Sequence, residues 1–363
     1  MFSKPSAHIN LQHLQHNAQL ARQRAPQSQL LAVVKANAYG HGVHEVVKAL
    51  SSADGFAVAR FDEALELRRT EKNKPVLILG GVYTNNELDS CLQHSINVVV
   101  HQAEQLALLC QHKTTRQNKI SVWLKIDTGM HRLGIAPEQF KSFYEQLSKI
   151  SFVNSVVAMT HFANAEEINN AHTKSQINLF NKTLDAIADK KLQRSLANSA
   201  GLLNWSSAQG DWVRPGLMLY GINPNPENKL DLKPVMTLQA PIVSMRTVSP
   251  NESVGYSLTW KASRESKIAT VALGYGDGYP TQIKPNTPVL INGKRAPIVG
   301  RVSMDLITVD CTDLANVKTG DTVTFWGEDA QGNRLPVEEI AKQANTIPYD
   351  LVTKISGRVK YNY

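Results

Sequence analysis

Short apolar stretches alternate with longer segments of helical periodicity from residue 31 to about residue 220, and no other feature constrains the fold as strongly. Helices are predicted at Phe61–Arg69, Gln102–Gln111, Pro137–Lys149 and Ala171–Asp189, and another begins at Thr84, because Glu87 follows at capping-box spacing. Eight apolar stretches have the character of buried parallel strands: Leu31–Val34, Gly55–Val58, Pro75–Leu79, Asn97–Val100, Ile120–Ile126, Val153–Met159, Leu192–Leu196 and Trp212–Val213. Eight strand–helix units predict a (β/α)8 barrel.

The pattern changes near Gly221. Gly221 to Asp231 is rich in Pro, Asn and Gly, which is typical of a linker. Strands predominate after it, Asn292-Gly293 has the composition of a hairpin turn, and only Pro336–Asn345 resembles a helix. The strands are predicted at Pro234–Arg246, Lys267–Leu273, Pro288–Ile291, Arg295–Val299, Leu306–Val309 and Thr322–Trp326.

We therefore predict two domains, as expected for 363 residues. Residues 1–230 form the barrel and residues 231–363 form a second, mainly antiparallel β domain. A strand at Ala7–Asn10 and a helix at Leu11–Arg22 precede the barrel, and the first few residues could instead join the β domain.

Composition narrows the functional classes. The formal net charge is +8, but Lys and Arg are scattered without a basic block, which is unlike a nucleic-acid-binding surface. An anionic cofactor and a carboxylate substrate would need only a few of these charges. The three cysteines are widely spaced, as in a reduced cytoplasmic protein, and the histidines show no metal-ligand spacing. No apolar stretch has membrane-spanning length, and the first ten residues do not resemble a secretion signal, so we expect a cytoplasmic protein without membrane contact.

Polar side chains follow five of the predicted barrel strands at their carboxyl ends, where such barrels carry their chemistry. A desolvated lysine there has a depressed pKa and is a suitable nucleophile. The loops after strands seven and eight often bind phosphate, which suits a serine hydroxyl and a glycine that admits close approach to backbone N–H groups. The candidate site residues at these strand ends are the polar residues Lys35, Lys125, Arg132, His161, Ser199 and Arg214, together with Gly216.

These positions lie in segments that resemble the alanine racemases. AVVKANAYGHG (residues 32–42) resembles the lysine motif that binds pyridoxal phosphate in that family. KIDTGMHRLG, THFA, NSA and RPGLMLYG follow in the family's order, and the resemblance extends from Ile9 to about Arg358.

The resemblance implies a role for each residue. Lys35 would carry pyridoxal phosphate as an aldimine, Arg214 would donate to the pyridine nitrogen, and His161 would lie beside the ring. The phosphate would be held by Tyr39, Ser199, Gly216 and Leu217. Because Arg214 cannot give up its proton, the ring nitrogen would stay unprotonated, and the weaker electron sink would limit side reactions.

Two segments of the predicted β domain correspond to further parts of the family's site. VGYSLTW (254–260) places a second catalytic base at Tyr256, and GRVSMD (300–305) places the Met304 N–H at the substrate carboxylate, near Arg132. Asp305 is a possible supporting residue. Lys125 corresponds to a lysine that is carbamylated in some members. Gly357 stands where, on this comparison, several members have a phosphate-contacting tyrosine.

The predicted function is interconversion of L- and D-alanine in a homodimer with shared sites, supplying D-alanine for peptidoglycan. Lys35 would serve the D-face proton and Tyr256 the L-face proton. A racemase that prefers another amino acid, such as serine, is an alternative. A non-catalytic pyridoxal-phosphate carrier would lack the β domain, and a basic amino-acid decarboxylase would need an acidic or cysteine-bearing substrate region that is not found. The glycines of residues 274–280 lack the GxGxxG spacing and suit the site entrance instead.

Overall fold

The predicted barrel strands form one sheet in a computed structural model, which describes residues 4–168, 170–225 and 230–363. All neighbours are parallel, in the order β8-β7-β6-β5-β4-β3-β2-β9. At the remaining seam Ser195 Oγ donates to the Trp212 carbonyl at 3.0 Å. The (β/α)8 prediction is confirmed. After a first strand, β1 (Ser6–Ile9), the barrel strands are β2 (Gln29–Val33), β3 (Gly55–Val58), β4 (Val76–Ile78), β5 (Ile96–Val100), β6 (Ile120–Lys125), β7 (Val153–Met159), β8 (Gln193–Ser195) and β9 (Trp212–Val213).

Helices connect these strands, except that α2 (Lys35–Gly40) is a left-handed segment, with residues 36–39 at positive φ, at the barrel mouth. Thr84 caps α5 as predicted, because its hydroxyl accepts from the Glu87 N–H at 3.2 Å. The predicted helix Ala171–Asp189 ends at Leu184, and the one predicted from Pro137 begins with a 3-10 turn, Pro137–Gln139. The helices are α1 (Leu11–Arg24), α2 (Lys35–Gly40), α3 (Val43–Ala49), α4 (Phe61–Thr70), α5 (Asn85–Gln93), α6 (Ala103–Gln111), α7 (Phe140–Leu147), α8 (Ala171–Leu184) and α9 (Ser199–Asn204).

The carboxyl-terminal part is built on antiparallel strands. Six of them close into a ring, in the order β10-β13-β16-β15-β14-β17 and back to β10. The first strand of the chain, β1, lies in this sheet, antiparallel to β10 and parallel to β19. The strands are β10 (Met236–Val248), β11 (Ser253–Val254), β12 (Trp260–Lys261), β13 (Ser266–Val271), β14 (Pro288–Ile291), β15 (Lys294–Val299), β16 (Ile307–Asp310), β17 (Thr322–Glu328), β18 (Arg334–Leu335) and β19 (Lys360–Asn362).

Local turn chemistry explains part of this arrangement. Asn292 and Gly293 have φ values of 49° and 77°, as a two-residue hairpin between β14 and β15 requires. The expectation of a single helix in this region is wrong. There are two, α10 (Val337–Gln343) and α11 (Pro348–Thr353), because Pro348 at the first helical position starts a second helix. Of the predicted linker Gly221–Asp231, residues 226–229 lie outside the described residues.

One apolar core runs through both parts of the molecule. Its buried members include Leu30 and Val122 of the barrel strands and Val289 and Phe325 of the second sheet. Helix α11 packs on α2, so the second part covers one side of the barrel mouth. None of the helices in the described parts of the chain is long and apolar enough to cross a membrane.

Candidate functional site

A cavity of about 1150 Å³ opens at the carboxyl ends of the barrel strands. Among the residues that the structure describes, five cationic side chains and two carboxylates line it, so the cavity favours an anionic occupant. The second domain contributes a wall that includes Ile347 and Tyr349. Nine of the predicted residues line the cavity: Lys35, Tyr39, Lys125, Arg132, His161, Ser199, Arg214, Gly216 and Leu217. Tyr256, Met304 and Asp305 do not belong to its lining.

Lys35 leaves the end of β2 at the start of a left-handed segment. The next four residues, 36–39, have φ values between 51° and 53°, a backbone conformation that is costly for residues other than glycine. The carboxylate of Glu63 holds its start, because Oε1 accepts from the Ala36 N–H at 2.6 Å and Oε2 accepts from the Ala59 N–H at 2.8 Å. Burial and the Arg132 charge lower the pKa of Lys35, and the charge of Glu63 opposes them.

A second lysine, Lys125, ends strand β6. Its side chain is buried, and burial together with the charges of Arg132 and Arg214 lowers its pKa to about 8. Arg132 follows in a turn that Asp127 stabilises, because Asp127 Oδ1 accepts from the N–H groups of Gly129 and His131, each at 3.0 Å. The loop returns to the end of β6, where the Ile135 N–H donates to the Lys125 carbonyl at 2.9 Å.

Arg214 follows β9 and is almost completely buried. Its Nη1 donates to the Ser195 carbonyl and hydroxyl at 2.9 and 2.7 Å, and its Nη2 donates to the Thr160 carbonyl at 2.6 Å and to the Leu196 carbonyl at 3.2 Å. The Nε–H makes no hydrogen bond to any residue that the structure describes. One donor of a rigidly held guanidinium therefore remains for a ligand.

His161 lies next to Arg214, with Nδ1 at 3.4 Å from Nη2. Since a guanidinium can only donate, Nδ1 accepts, and a neutral ring then carries its proton on Nε2. Burial, followed by the charge of Arg214, lowers the pKa of His161 well below its ordinary value. The imidazole is therefore neutral at physiological pH.

Hydroxyl and backbone N–H groups meet at the end of the cavity formed by the loops after β8 and β9. Ser199 Oγ accepts from the Gly216 N–H at 2.9 Å. A Cβ on Gly216 would stand 2.6 Å from the Tyr39 hydroxyl, so only glycine fits beside this tyrosine. The ring of Tyr349 lies 5.7 Å from that of Tyr39.

Two residues near the cavity, Tyr349 and Glu63, were not predicted from the sequence. Tyr349 lines the cavity, whereas Gly357 does not. Pro348 as a helix start was the available signal for Tyr349. Glu63 stands three residues after Arg60 and accepts from its N–H at 3.1 Å, which is the capping-box position, but the sequence does not reveal the bond to Ala36.

Tyr256 and Met304 lie on neighbouring loops of the second domain, outside the cavity. Arg301 Nη1 donates to Ser257 Oγ at 3.2 Å and so joins the two loops. The Tyr256 side chain is 70% exposed and that of Met304 is 52% exposed, with exposed Leu258 nearby in sequence. These loops thus present an apolar surface. Asp305 accepts from Arg358 Nη2 at 2.6 Å.

The barrel mouth defines a class of protein. A buried lysine at a strand end, surrounded by cations, hydroxyls and backbone N–H groups, is characteristic of barrel enzymes that act on small anionic substrates or cofactors. Among the described residues, no group of three His, Cys, Asp or Glu side chains could hold a metal ion.

Comparisons with known proteins give the family. The model of the alanine racemase N-terminal domain matches residues 9–224, and that of the C-terminal domain matches residues 235–363. An alanine racemase of Vibrio vulnificus strain CMCP6 is 46% identical over 362 residues, covering 99% of this chain and 98% of that protein. One of Shewanella oneidensis is 45% identical over 359 residues, covering 98% of both chains.

Solved structures of alanine racemases are similar to this chain over nearly its whole length. The biosynthetic alanine racemase of Pseudomonas aeruginosa superposes with a TM-score of 0.93 at 42% identity, covering 99% of each chain. That of Bartonella henselae, solved with covalently bound pyridoxal phosphate, has a TM-score of 0.89 at 30% identity, again covering 99% of each chain. The chain belongs to the alanine racemase family.

Proposed function

We propose that this protein interconverts L- and D-alanine with pyridoxal phosphate as cofactor and supplies D-alanine for peptidoglycan. The observation that carries the proposal is the cavity itself, where Lys35 at the end of β2 and the free Nε–H of Arg214 line one anion-binding pocket. The three cysteines are free thiols, which suits the cytoplasm, where we place the protein.

The residues present fit the cofactor. Ser199, the N–H groups of Gly216 and Leu217, and the hydroxyls of Tyr39 and Tyr349 would hold its phosphate. The space kept open by Gly216 beside the Tyr39 hydroxyl supports this assignment. Lys35 would bind the cofactor covalently, and the Arg214 Nε–H would donate to its ring nitrogen. When bound, pyridoxal phosphate supplies the electron sink that makes the α-proton of an amino acid removable.

Racemisation requires a proton carrier on each face of the α-carbon. Lys35 would serve one face, and its lowered pKa increases the fraction of neutral amine that can accept a proton. The hydroxyl of Tyr256 would serve the other. Arg132 and the N–H of Met304 would hold the substrate carboxylate and so fix which bond of the α-carbon faces each base.

Lys125 would support Arg132. The lowered pKa of Lys125 leaves a fraction of the amine neutral near pH 8, the form that can combine with CO₂. The resulting carbamate would place a second anion near Arg132 and Arg214, where Asp127 is the only carboxylate of the described residues that acts on the charge of Lys125.

The exposure of Tyr256 and Met304 supports a homodimer. Two parts of the proposed machinery stand on an apolar surface outside the chain's own cavity. A two-fold symmetric dimer would place this surface against the partner's barrel mouth and form two equal sites.

The activity is tested with purified protein and pyridoxal phosphate. Each of L-alanine, L-serine and a panel of other L-amino acids is incubated in turn, and both enantiomers are separated by chiral chromatography. We expect D-alanine to form fastest, and Lys35→Ala to form none. Faster conversion of L-serine would make the protein a serine racemase, and no conversion of any amino acid would contradict the proposal.

A further inference from the structure

A buried glutamine on α8 joins two loops of the barrel mouth. Gln176 has no exposed surface. Its Nε2 donates to Thr128 Oγ1 and to the His161 carbonyl, each at 3.2 Å, and its Oε1 accepts from the Ala163 N–H at 3.0 Å. One side-chain amide thereby binds the loop after β6 and the loop after β7.

The direction of these hydrogen bonds follows from their neighbours. Thr160 Oγ1 donates its only hydrogen to the Ile126 carbonyl at 3.0 Å. Thr128 Oγ1, at 2.7 Å from Thr160 Oγ1, must therefore donate to it and accept from Gln176. The side chain at position 176 thus has to donate to both loops as well as accept from one, which an amide can do and a carboxylate cannot.

The two loops carry the side chains that matter for a substrate. Arg132 lies four residues after Thr128 on the first loop. His161 lies on the second loop, and its own carbonyl accepts from Gln176. Thr160, the last member of the hydrogen-bond chain, accepts from Arg214 Nη2 through its carbonyl. Helix α8 supports the same region a second time, because His172 Nε2 lies 3.1 Å from the Gly129 carbonyl.

We propose that Gln176 is a positioning residue that sets the placement of Arg132 relative to His161. The inference rests on the proposed function, in which Arg132 holds the substrate carboxylate. Gln176 does not line the cavity and acts only through the two loops.

The chain offers a matched control. Gln105 on α6 is 1% exposed and also joins two loops of the barrel, because its Oε1 accepts from the His101 N–H at 3.0 Å and its Nε2 donates to the Gly80 carbonyl at 3.1 Å. Gln105→Glu therefore makes the same chemical change in a buried amide that joins the loops after β4 and β5, not the loops that carry Arg132 and His161.

The first measurement is kinetic. In Gln176→Glu, the Thr128 hydroxyl and the His161 carbonyl lose their donor, and the Arg132 loop shifts. We expect KM for L-alanine to rise by about tenfold or more while kcat changes by less than about threefold, because weakened carboxylate binding affects substrate and transition state alike. We expect Gln105→Glu to keep KM within about twofold of the wild type.

Hydrogen exchange followed by mass spectrometry gives a second readout that needs no activity. We expect faster exchange in the segments 126–135 and 160–165 of Gln176→Glu and wild-type exchange there in Gln105→Glu. If Gln176→Glu does not fold, Thr128→Val, which removes the acceptor of Nε2, is expected to accelerate exchange in the same segments.

The outcomes separate the two proposals. Wild-type KM together with wild-type exchange in both segments would overturn the role of Gln176. If the wild-type protein racemises no amino acid but Gln176→Glu still shows faster exchange in both segments, the proposed function is overturned and the structural role of Gln176 stands.

Discussion

Two lysines line the same cavity but differ in their charged neighbours. Burial lowers the pKa of both. Lys35 has an acidic neighbour in Glu63, whereas Lys125 lies among Arg132, Arg214 and Lys35, and of the described carboxylates only Asp127 opposes their charges. The chain therefore keeps at Lys125 an ammonium group whose charge is poorly compensated.

This imbalance predicts a pH-dependent stability. Below pH 8, Lys125 is charged in both the folded and the unfolded state, and its burial opposes folding. Between about pH 8, the pKa of Lys125 in the folded protein, and pH 10.5, the ordinary pKa of a lysine, the folded state loses the proton before the unfolded state does. The destabilisation caused by the buried charge therefore disappears over this range. For the cofactor-free protein in CO₂-free buffer, Lys125→Met should be more stable at pH 7 by roughly 3 kcal/mol, with the gap closing by about pH 10.5.

Urea unfolding of both proteins across this pH range measures the gap. A variant that is less stable than the wild type at pH 7 would show that the ammonium group is compensated in the folded protein.

The sequence predicts the residues that stand directly at strand ends. Lys35, His161 and Arg214 could be placed because a strand end determines the position of the next one or two residues. Glu63 and Gln176 could not, because each acts from a helix on a loop distant in sequence, and only the packed structure shows which N–H or carbonyl group it reaches.

At the scale of elements, the left-handed segment after Lys35 is the least predictable part of the barrel. Local propensity would make Ala36 and Ala38 right-handed, and nothing in the sequence states otherwise. Tertiary contacts impose the conformation. Glu63 holds its first N–H, and the backbone of Val352 lies against its end at Gly40.

Gly40→Ala tests this packing. Gly40 has φ +79°, and a Cβ would overlap the Val352 carbonyl oxygen. Gly320 is the matched control, because it has φ +94° with nothing within 4 Å of its Cβ position. We expect Gly320→Ala to cost about 1 kcal/mol of unfolding free energy and Gly40→Ala about 3 kcal/mol or more, measured by urea unfolding. Equal losses would mean that α11 adjusts without cost.

Elements with strong local signals were predictable. The β14–β15 hairpin follows from Asn292-Gly293, and the barrel strands follow from their apolar runs. The strands β11, β12 and β18 have two residues each and carry too little pattern to be recognised. Helix α11 was missed because six residues hold less than two helical turns of periodicity.

For the whole molecule, the decisive feature is the separation of the proposed catalytic groups. Lys35 lies inside a cavity covered by α10 and α11 of its own chain, whereas Tyr256 stands 70% exposed outside it. The sequence could place these residues on different domains but could not show that they are apart. With the proposed roles of Lys35 and Tyr256, a complete site would require two chains.

Subunit exchange tests this central claim most directly. Lys35→Ala and Tyr256→Phe homodimers are each expected to be nearly inactive in racemisation. After mixing, with exchange verified by native mass spectrometry, a heterodimer has one site with both defects and one with neither. The shared-site account predicts that activity returns, to at most about half the wild-type value per heterodimer. Verified exchange without any return of activity would show that Lys35 and Tyr256 act within one chain.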